Sequence, residues 1–260
     1  MMGLFFLLCF SGAIFLLRTQ GGQCADIIGG KESVPHSRPF MAALVNRKKL
    51  SCGGTLIKDN WVLTAAHCFP SEETYIVLGA HSLSKKEKEK QIVRISEVFV
   101  YPGFNLKTFE NDLMLLQLQT RAKINQAVKT IPLAKSFNDI KAGTPCLVAG
   151  WGKTSTRGKA SDKLLEVNVT VLERSFCNDK KHYNSRPPVT TKMICAGDKQ
   201  GGKDACLGDS GGPLMCNGEQ RGIVSFGGRK CGDSKYPGIY THLTKDFINW
   251  IKTITGGDTD

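Results

Sequence analysis

The sequence predicts an all-β protein, built as a sandwich or barrel and closed by one C-terminal helix. Three observations predict it. Short β-rich runs recur between turn residues: Tyr75-Ile76-Val77-Leu78, Ile92-Val93-Arg94-Ile95, Leu113 to Leu118, Cys146-Leu147-Val148-Ala149 and Gly222-Ile223-Val224-Ser225-Phe226. One segment alone has helical spacing, with Leu243, Phe247, Trp250, Ile251 and Ile254 on one face and Gly256 as a stop. Ten cysteines in 260 residues point to a cross-linked chain.

Taken in order, residues 3–17 form an apolar block shorter than a membrane span, followed by small and polar residues. It reads as a secretory leader, residues 1–24, although no Lys or Arg precedes the block. No other stretch is apolar enough to span a membrane, so no stable membrane insertion is expected. Removing the leader takes Cys9 and Cys24 out of the ten cysteines and leaves eight, an even number suited to a disulfide framework. The pairing stays open at this level. Leu165, Val167, Val169 and Val171 alternate with Asn168 and Thr170, a strand that turns the sequon Asn168-Val169-Thr170 outward and makes Asn168 a glycan acceptor.

The formal charge is +12. Basic clusters stand at Arg47-Lys48-Lys49, Lys85-Lys86 and Lys180-Lys181-His182. Few aromatics interleave with them, which argues against sequence-reading nucleic-acid binding and for an anionic partner. No CxxC pair or HExxH is present, so no metal is expected.

Chemistry is concentrated in three motifs: Thr64-Ala65-Ala66-His67-Cys68, Asn111-Asp112-Leu113 and Gly208-Asp209-Ser210-Gly211-Gly212-Pro213. They supply His67, Asp112 and Ser210 in that order. A serine hydroxyl is a weak nucleophile until a base takes its proton, and the base needs a carboxylate to orient it. Glycines beside Ser210 let the amides of Gly208 and Ser210 converge on one developing oxyanion. Such chemistry needs no cofactor. His36, His81, His182 and His242 have no comparable setting and read as structural or exposed.

These motifs, with Ile27-Ile28-Gly29-Gly30, the run Pro35 to Met41, Leu78-Gly79-Ala80-His81-Ser82 and Gly150-Trp151-Gly152, resemble chymotrypsin-fold serine proteases. The resemblance covers residues 27–260 and is of granzyme type, most like granzyme A, with granzyme K next. It implies two six-stranded antiparallel β-barrels, about 27–130 and 131–242, a linker near Lys129 to Ser136 and a helix at about 243–255. It also implies the disulfides Cys52–Cys68, Cys146–Cys216, Cys177–Cys195 and Cys206–Cys231. Asp204 matches the floor of a pocket selecting Arg or Lys. Gly227 and Gly238 match its walls, and Ser225 to Gly227 matches the edge that pairs with substrate. Phe226 and Ala205 depart from trypsin, which has tryptophan and serine there.

Ala25-Asp26 resembles the dipeptide that a dipeptidyl peptidase removes, after which the Ile27 amine would pair with Asp209. The resemblance further implies secretion, storage in cytoplasmic secretory granules on sulfated glycosaminoglycan or proteoglycan, protein substrates and serpin-type inhibitors. Covalent dimers of this family use a cysteine after Tyr-Pro. Here Tyr101-Pro102 is followed by Gly103, and no interchain disulfide is expected. Two other readings compete: a digestive, mast-cell or kallikrein-type protease, and a catalytically inactive binding protein on this fold. Asp26 before Ile27 argues against activation by a trypsin-like enzyme, and the intact His-Asp-Ser set argues against the inactive reading.

Overall fold

The computed structural model describes residues 27–257. The leader and the Ala25-Asp26 dipeptide lie outside the described residues. A two-residue strand, β1 (Lys31–Glu32), leads into the first barrel. That barrel comprises β2 (Met41–Asn46), β3 (Lys49–Lys58), β4 (Trp61–Thr64), β5 (Thr74–Leu78), β6 (Gln91–Val100) and β7 (Met114–Leu118). The six close in the order β2-β3-β4-β7-β6-β5, each pair antiparallel. Arg47 and Lys48 join β2 to β3 in a two-residue turn with φ 48° and 63°. Such a turn matches strand twist only when both positions are left-handed, and here it forms without Asn or Gly. Leu44, Leu56, Leu63, Ile76, Leu78 and Leu115 fill the interior.

The second barrel comprises β8 (Pro145–Gly150), β9 (Leu165–Leu172), β10 (Met193–Gly197), β11 (Pro213–Cys216), β12 (Glu219–Phe226) and β13 (Gly238–His242). It runs β9-β10-β13-β12-β11-β8 and closes through β8–β9. On β9, Leu165, Val167, Val169 and Val171 are buried while Asn168 and Thr170 face solvent. Glu166 breaks the alternation. It is buried because Ser33 Oγ donates to it at 2.9 Å and Arg38 pairs with it at 3.1 Å.

The chain ends cross between the barrels. β1 pairs with β9, so the N-terminal segment lies on the second barrel, not on the first as the 27–130 boundary supposed. The reason is the buried seat that the second barrel's core offers Ile27. Between the short α1 (Arg174–Asn178) and the C-terminal α2 (Lys245–Thr255), only the latter has helical amphipathicity of any length. It packs Phe247, Ile248 and Ile251 into the first barrel's core, with Tyr101 edge-on to Phe247 and Trp250. Leu243, expected at its start, precedes it: Thr244 is the extended N-cap. Gly256, at φ 76°, ends it as the left-handed cap. The connecting segment between β7 and β8 is tied to the first barrel by Lys129 N–H to Pro39 O and Ile131 N–H to Leu56 O, and it reaches the second where Leu133 bridges Gln220.

Disulfides join Cys52–Cys68, Cys146–Cys216, Cys177–Cys195 and Cys206–Cys231. Each restricts the unfolded chain, worth roughly 2–4 kcal/mol. Among the described residues no helix is long and apolar enough to cross a membrane.

Candidate active site

His67 sits on a single 3-10 turn, Ala66–Cys68, that follows β4 and is pinned by the Cys52–Cys68 disulfide. Its backbone N–H donates to Asp112 Oδ1 at 3.0 Å, and its Nδ1 lies 2.7 Å from Asp112 Oδ2. A carboxylate accepts only, so Nδ1 carries the proton and Nε2 is left with a free lone pair. Asp112, fully buried two residues before β7, is held from the other barrel. Ser225 Oγ donates to its Oδ2 at 2.5 Å, and Thr241 Oγ1 donates to its backbone carbonyl at 2.9 Å.

Ser210 comes from the turn before β11. Gly53 N–H of the first barrel donates to Ser210 O at 2.7 Å, and Gly211 N–H donates to Val224 O at 2.8 Å. Gly211 has φ +82°, and a Cβ there would lie 2.1 Å from Thr64 Oγ1 and 2.5 Å from Gly53 O. Only glycine lets the turn approach the first barrel this closely. Ser210 and His67 line one cavity of about 420 Å³. Among the described residues the Ser210 hydroxyl makes no hydrogen bond, and the N–H groups of Gly208 and Ser210 have no acceptor. Two unpaired donors beside a free hydroxyl can receive an oxyanion.

Asp209 turns away from this surface and is fully buried. Its Oδ1 accepts from Gly152 N–H at 2.7 Å and its Oδ2 from Cys206 N–H at 2.9 Å. A Cβ on Gly150 or Gly152 would strike the carboxylate at 2.1 or 2.4 Å. Burial pushes its pKa up to about 6, against the two amide bonds. Ile27 is wholly buried in the same barrel's core, in the cluster that includes Val148 and Leu165. The structure thus places both partners of the expected Ile27–Asp209 pair inside the second barrel.

Asp204 lines a second cavity, of about 450 Å³, which Ser210 also borders. Gly232 N–H donates to Asp204 Oδ2 at 3.0 Å, while Oδ1 is buried without a partner. The Tyr240 hydroxyl is likewise buried and unpaired. A Cβ on Gly238 would sit 2.9 Å from Asp204 Oδ1 and 3.1 Å from the Tyr240 hydroxyl, so any side chain there would crowd both. A Cβ on Gly227 would approach only Gly238 Cα, at 3.9 Å. Gly227 makes no backbone hydrogen bond among the described residues, so its amide and carbonyl are free to pair with an added strand. Burial raises Asp204 to about 7. A buried carboxylate with one open oxygen is completed by a cation.

Four features escaped the sequence reading. Ser225, read there as a substrate-pairing residue, also holds Asp112. Thr241 holds the same aspartate. Tyr240 sets a buried, unpaired hydroxyl beside Gly238, as Asp204 sets its Oδ1. Phe109, at φ 56°, stands edge-on to His67 at 5.6 Å and against Phe226 at 5.0 Å. The motif signal ends at neighbours in sequence, and these residues arrive from other strands and loops. Three of the remaining four histidines are held by neighbours: His81 bonds Glu32, His182 bonds Asp179 and stacks on Phe176, and His242 is buried near Thr191 O, while His36 has φ 59° and a buried, unpaired Nδ1. Cys52, Cys68 and His67 cluster closely enough to suggest a metal site. The disulfide consumes both thiolates and Asp112 occupies His67 Nδ1, so the donor set does not fit one.

The trypsin family model matches residues 27–251. Granzyme A of Bos taurus is 48% identical over 252 residues, covering 95% of this chain and 96% of that one. Mast cell protease 3 of Ovis aries is 41% identical and covers 91% of this chain and 92% of that one. The solved structure of neuropsin, a serine protease of mouse brain, superposes with a TM-score of 0.78 at 36% identity, covering 87% of this chain and 98% of that one. The chain therefore belongs to the trypsin family, as a serine protease related to granzyme A and to mast cell protease.

Proposed function

We propose that the protein is a secreted, granule-stored endopeptidase that cuts after Arg or Lys. Ser210 Oγ attacks the peptide carbonyl while His67 Nε2 takes its proton. The oxyanion of the tetrahedral intermediate accepts from the N–H groups of Gly208 and Ser210. The C–N bond breaks as His67 returns the proton to the leaving amine. Water, activated by the same imidazole, then hydrolyses the acyl ester and frees Ser210. Asp112 holds the tautomer and balances the imidazolium charge.

One observation supports the specificity: Asp204 Oδ1 is buried and unpaired, and Asp204 and Ser210 line the same cavity. A substrate guanidinium or ammonium supplies the missing donor. Backbone pairing with Ser225 to Gly227 and the open walls at Gly227 and Gly238 admit a long side chain.

The burial of Ile27 and Asp209 supports activation by removal of Ala25-Asp26 by a dipeptidyl peptidase, because only a freed Ile27 amine gives Asp209 a counter-charge. The +12 charge supports storage on sulfated glycosaminoglycan or proteoglycan, and the relatedness to granzyme A supports a role in cytotoxic killing or inflammation and control by serpin-type inhibitors. Asn168, exposed on β9, supports one N-linked glycan. Labelling the processed form with an organophosphate tests the nucleophile. One adduct on Ser210, with activity lost in proportion, is expected. Labelling elsewhere, or none in a folded protein, overturns the assignment.

A further inference from the structure

Ser210 borders two cavities, but His67 lines only the one of about 420 Å³. On the reading above, His67 delivers its proton to the leaving amine, so the chain that follows the cut bond departs through the cavity that His67 lines. Its walls have a definite chemistry. Phe69 and Leu207 are 67% and 62% exposed, far more than large apolar side chains need be, and both face it with Leu50. Among its lining residues Lys153 carries the single fixed charge. The Lys153 backbone is fixed by its N–H bond to Leu207 O at 2.8 Å, while its ammonium has no ion pair or hydrogen bond among the described residues. Beyond Leu50 and Ser51 the groove continues into a further hollow of about 700 Å³ that these two residues also line. There Arg47 is already paired with Glu73, and Lys49 and Glu72 offset each other in charge.

We propose that this groove selects the leaving segment: a large apolar side chain seated among Leu50, Phe69 and Leu207, adjoining a carboxylate that pairs with Lys153. The proposal rests on the protease reading and adds a second layer of specificity, since Asp204 sees only the residue before the cut. An acid and its isosteric amide differ only in charge, so comparing them isolates Lys153 from shape.

The test uses quenched-fluorescent peptides with one Arg-containing half and leaving pairs Leu-Asp, Leu-Asn, Ser-Asp and Ser-Asn, each in both orders. Taking the better order, kcat/KM is expected to favour Asp over Asn about three-fold and Leu over Ser about five-fold. The Asp preference should shrink at high salt, collapse to unity in Lys153→Met and persist in Lys153→Arg. Phe69→Ser should narrow the Leu–Ser ratio. Equal rates across the set, or an Asp–Asn ratio that survives Lys153→Met, overturn the proposal. An arginine ester with no leaving peptide separates the two levels in the wild-type protein. Ester turnover with a flat peptide series defeats this inference alone, whereas no ester turnover defeats the protease reading beneath it.

Discussion

On the proposed function, one side chain, Asp204, carries the specificity. Its folded pKa, about 7, lies above the ordinary 3.8 because burial disfavours the charge. A bound guanidinium reverses that by pairing with the ionised form, so binding of an amidinium or guanidinium inhibitor at pH 6 should release close to one proton, and at pH 8.5 almost none. Calorimetry in buffers of different ionisation enthalpy measures this; no release at pH 6 contradicts it. The neighbour matters as well. Ala205 lacks a hydroxyl that would complete the donors around a lysine ammonium, while an arginine fork reaches the carboxylate directly. Arg should be favoured over Lys several-fold, by about 1 kcal/mol, and Ala205→Ser should narrow the gap. Matched ester substrates show it, and an unchanged ratio removes Ala205 as the cause. Ser225→Ala should lower kcat about five-fold with KM nearly unchanged, because Asp112 loses a hydrogen bond that steadies the imidazole; a change confined to KM would return Ser225 to substrate pairing alone. His67, Asp112 and Ser210 were legible because each lies in a short motif. The Ser225 and Thr241 hydroxyls that grip Asp112 were not, since they arrive from positions 113 and 129 residues away.

At the scale of elements, β9 was legible because alternation records which face is buried. Asn168 projects from its solvent face, so treatment with an N-glycan amidase should reduce the mass by one glycan; no shift refutes acceptor use. Glu166 was not legible there, because its partners Ser33 and Arg38 come from a distant segment. The final helix was legible from its spacing, but its start was not. Leu243 fits the helical pattern and is buried, yet its N–H bonds to Arg221 O, so it still belongs to the barrel edge. The loop at Tyr101 to Phe104 offers no cysteine, and all eight cysteines among the described residues are paired within the chain. Electrophoresis of the purified protein should give the same monomer band with and without reductant, and a dimer band lost on reduction contradicts this.

The whole molecule is two barrels clasped by each other's ends, with the reacting groups at the seam. Strand order and register come from pairings between runs that look alike in sequence; the resemblance supplied the two barrels but no register, and the residue pattern alone left sandwich and barrel equal. On the proposed activation, the crossing of the chain ends makes the switch a property of the whole fold. Asp209 has a folded pKa of about 6 against 3.8 unfolded, so a precursor that lacks the Ile27 amine binds more protons folded than unfolded. Its stability therefore falls as pH rises from about 4 through 6, by about 3 kcal/mol in all. In the processed form the freed amine cancels much of that loss, whereas the Asp204 contribution is common to both. The precursor should melt progressively below the processed form between pH 4.5 and 7.5, and parallel melting curves would contradict the pairing.

The central claim is that Ser210 and Asp204 act together to cut after a cation. It is tested most directly by kcat/KM for matched Arg and Leu thioesters on the processed protein and its Asp204→Asn variant. Asp204→Asn leaves a neutral amide at the pocket floor and Ser210 untouched. The account predicts turnover of the Arg substrate at least about a hundred-fold above Leu, with that preference lost in the variant. Equal use of Arg and Leu by the wild-type protein, or an Arg preference that persists without the Asp204 carboxylate, would contradict it.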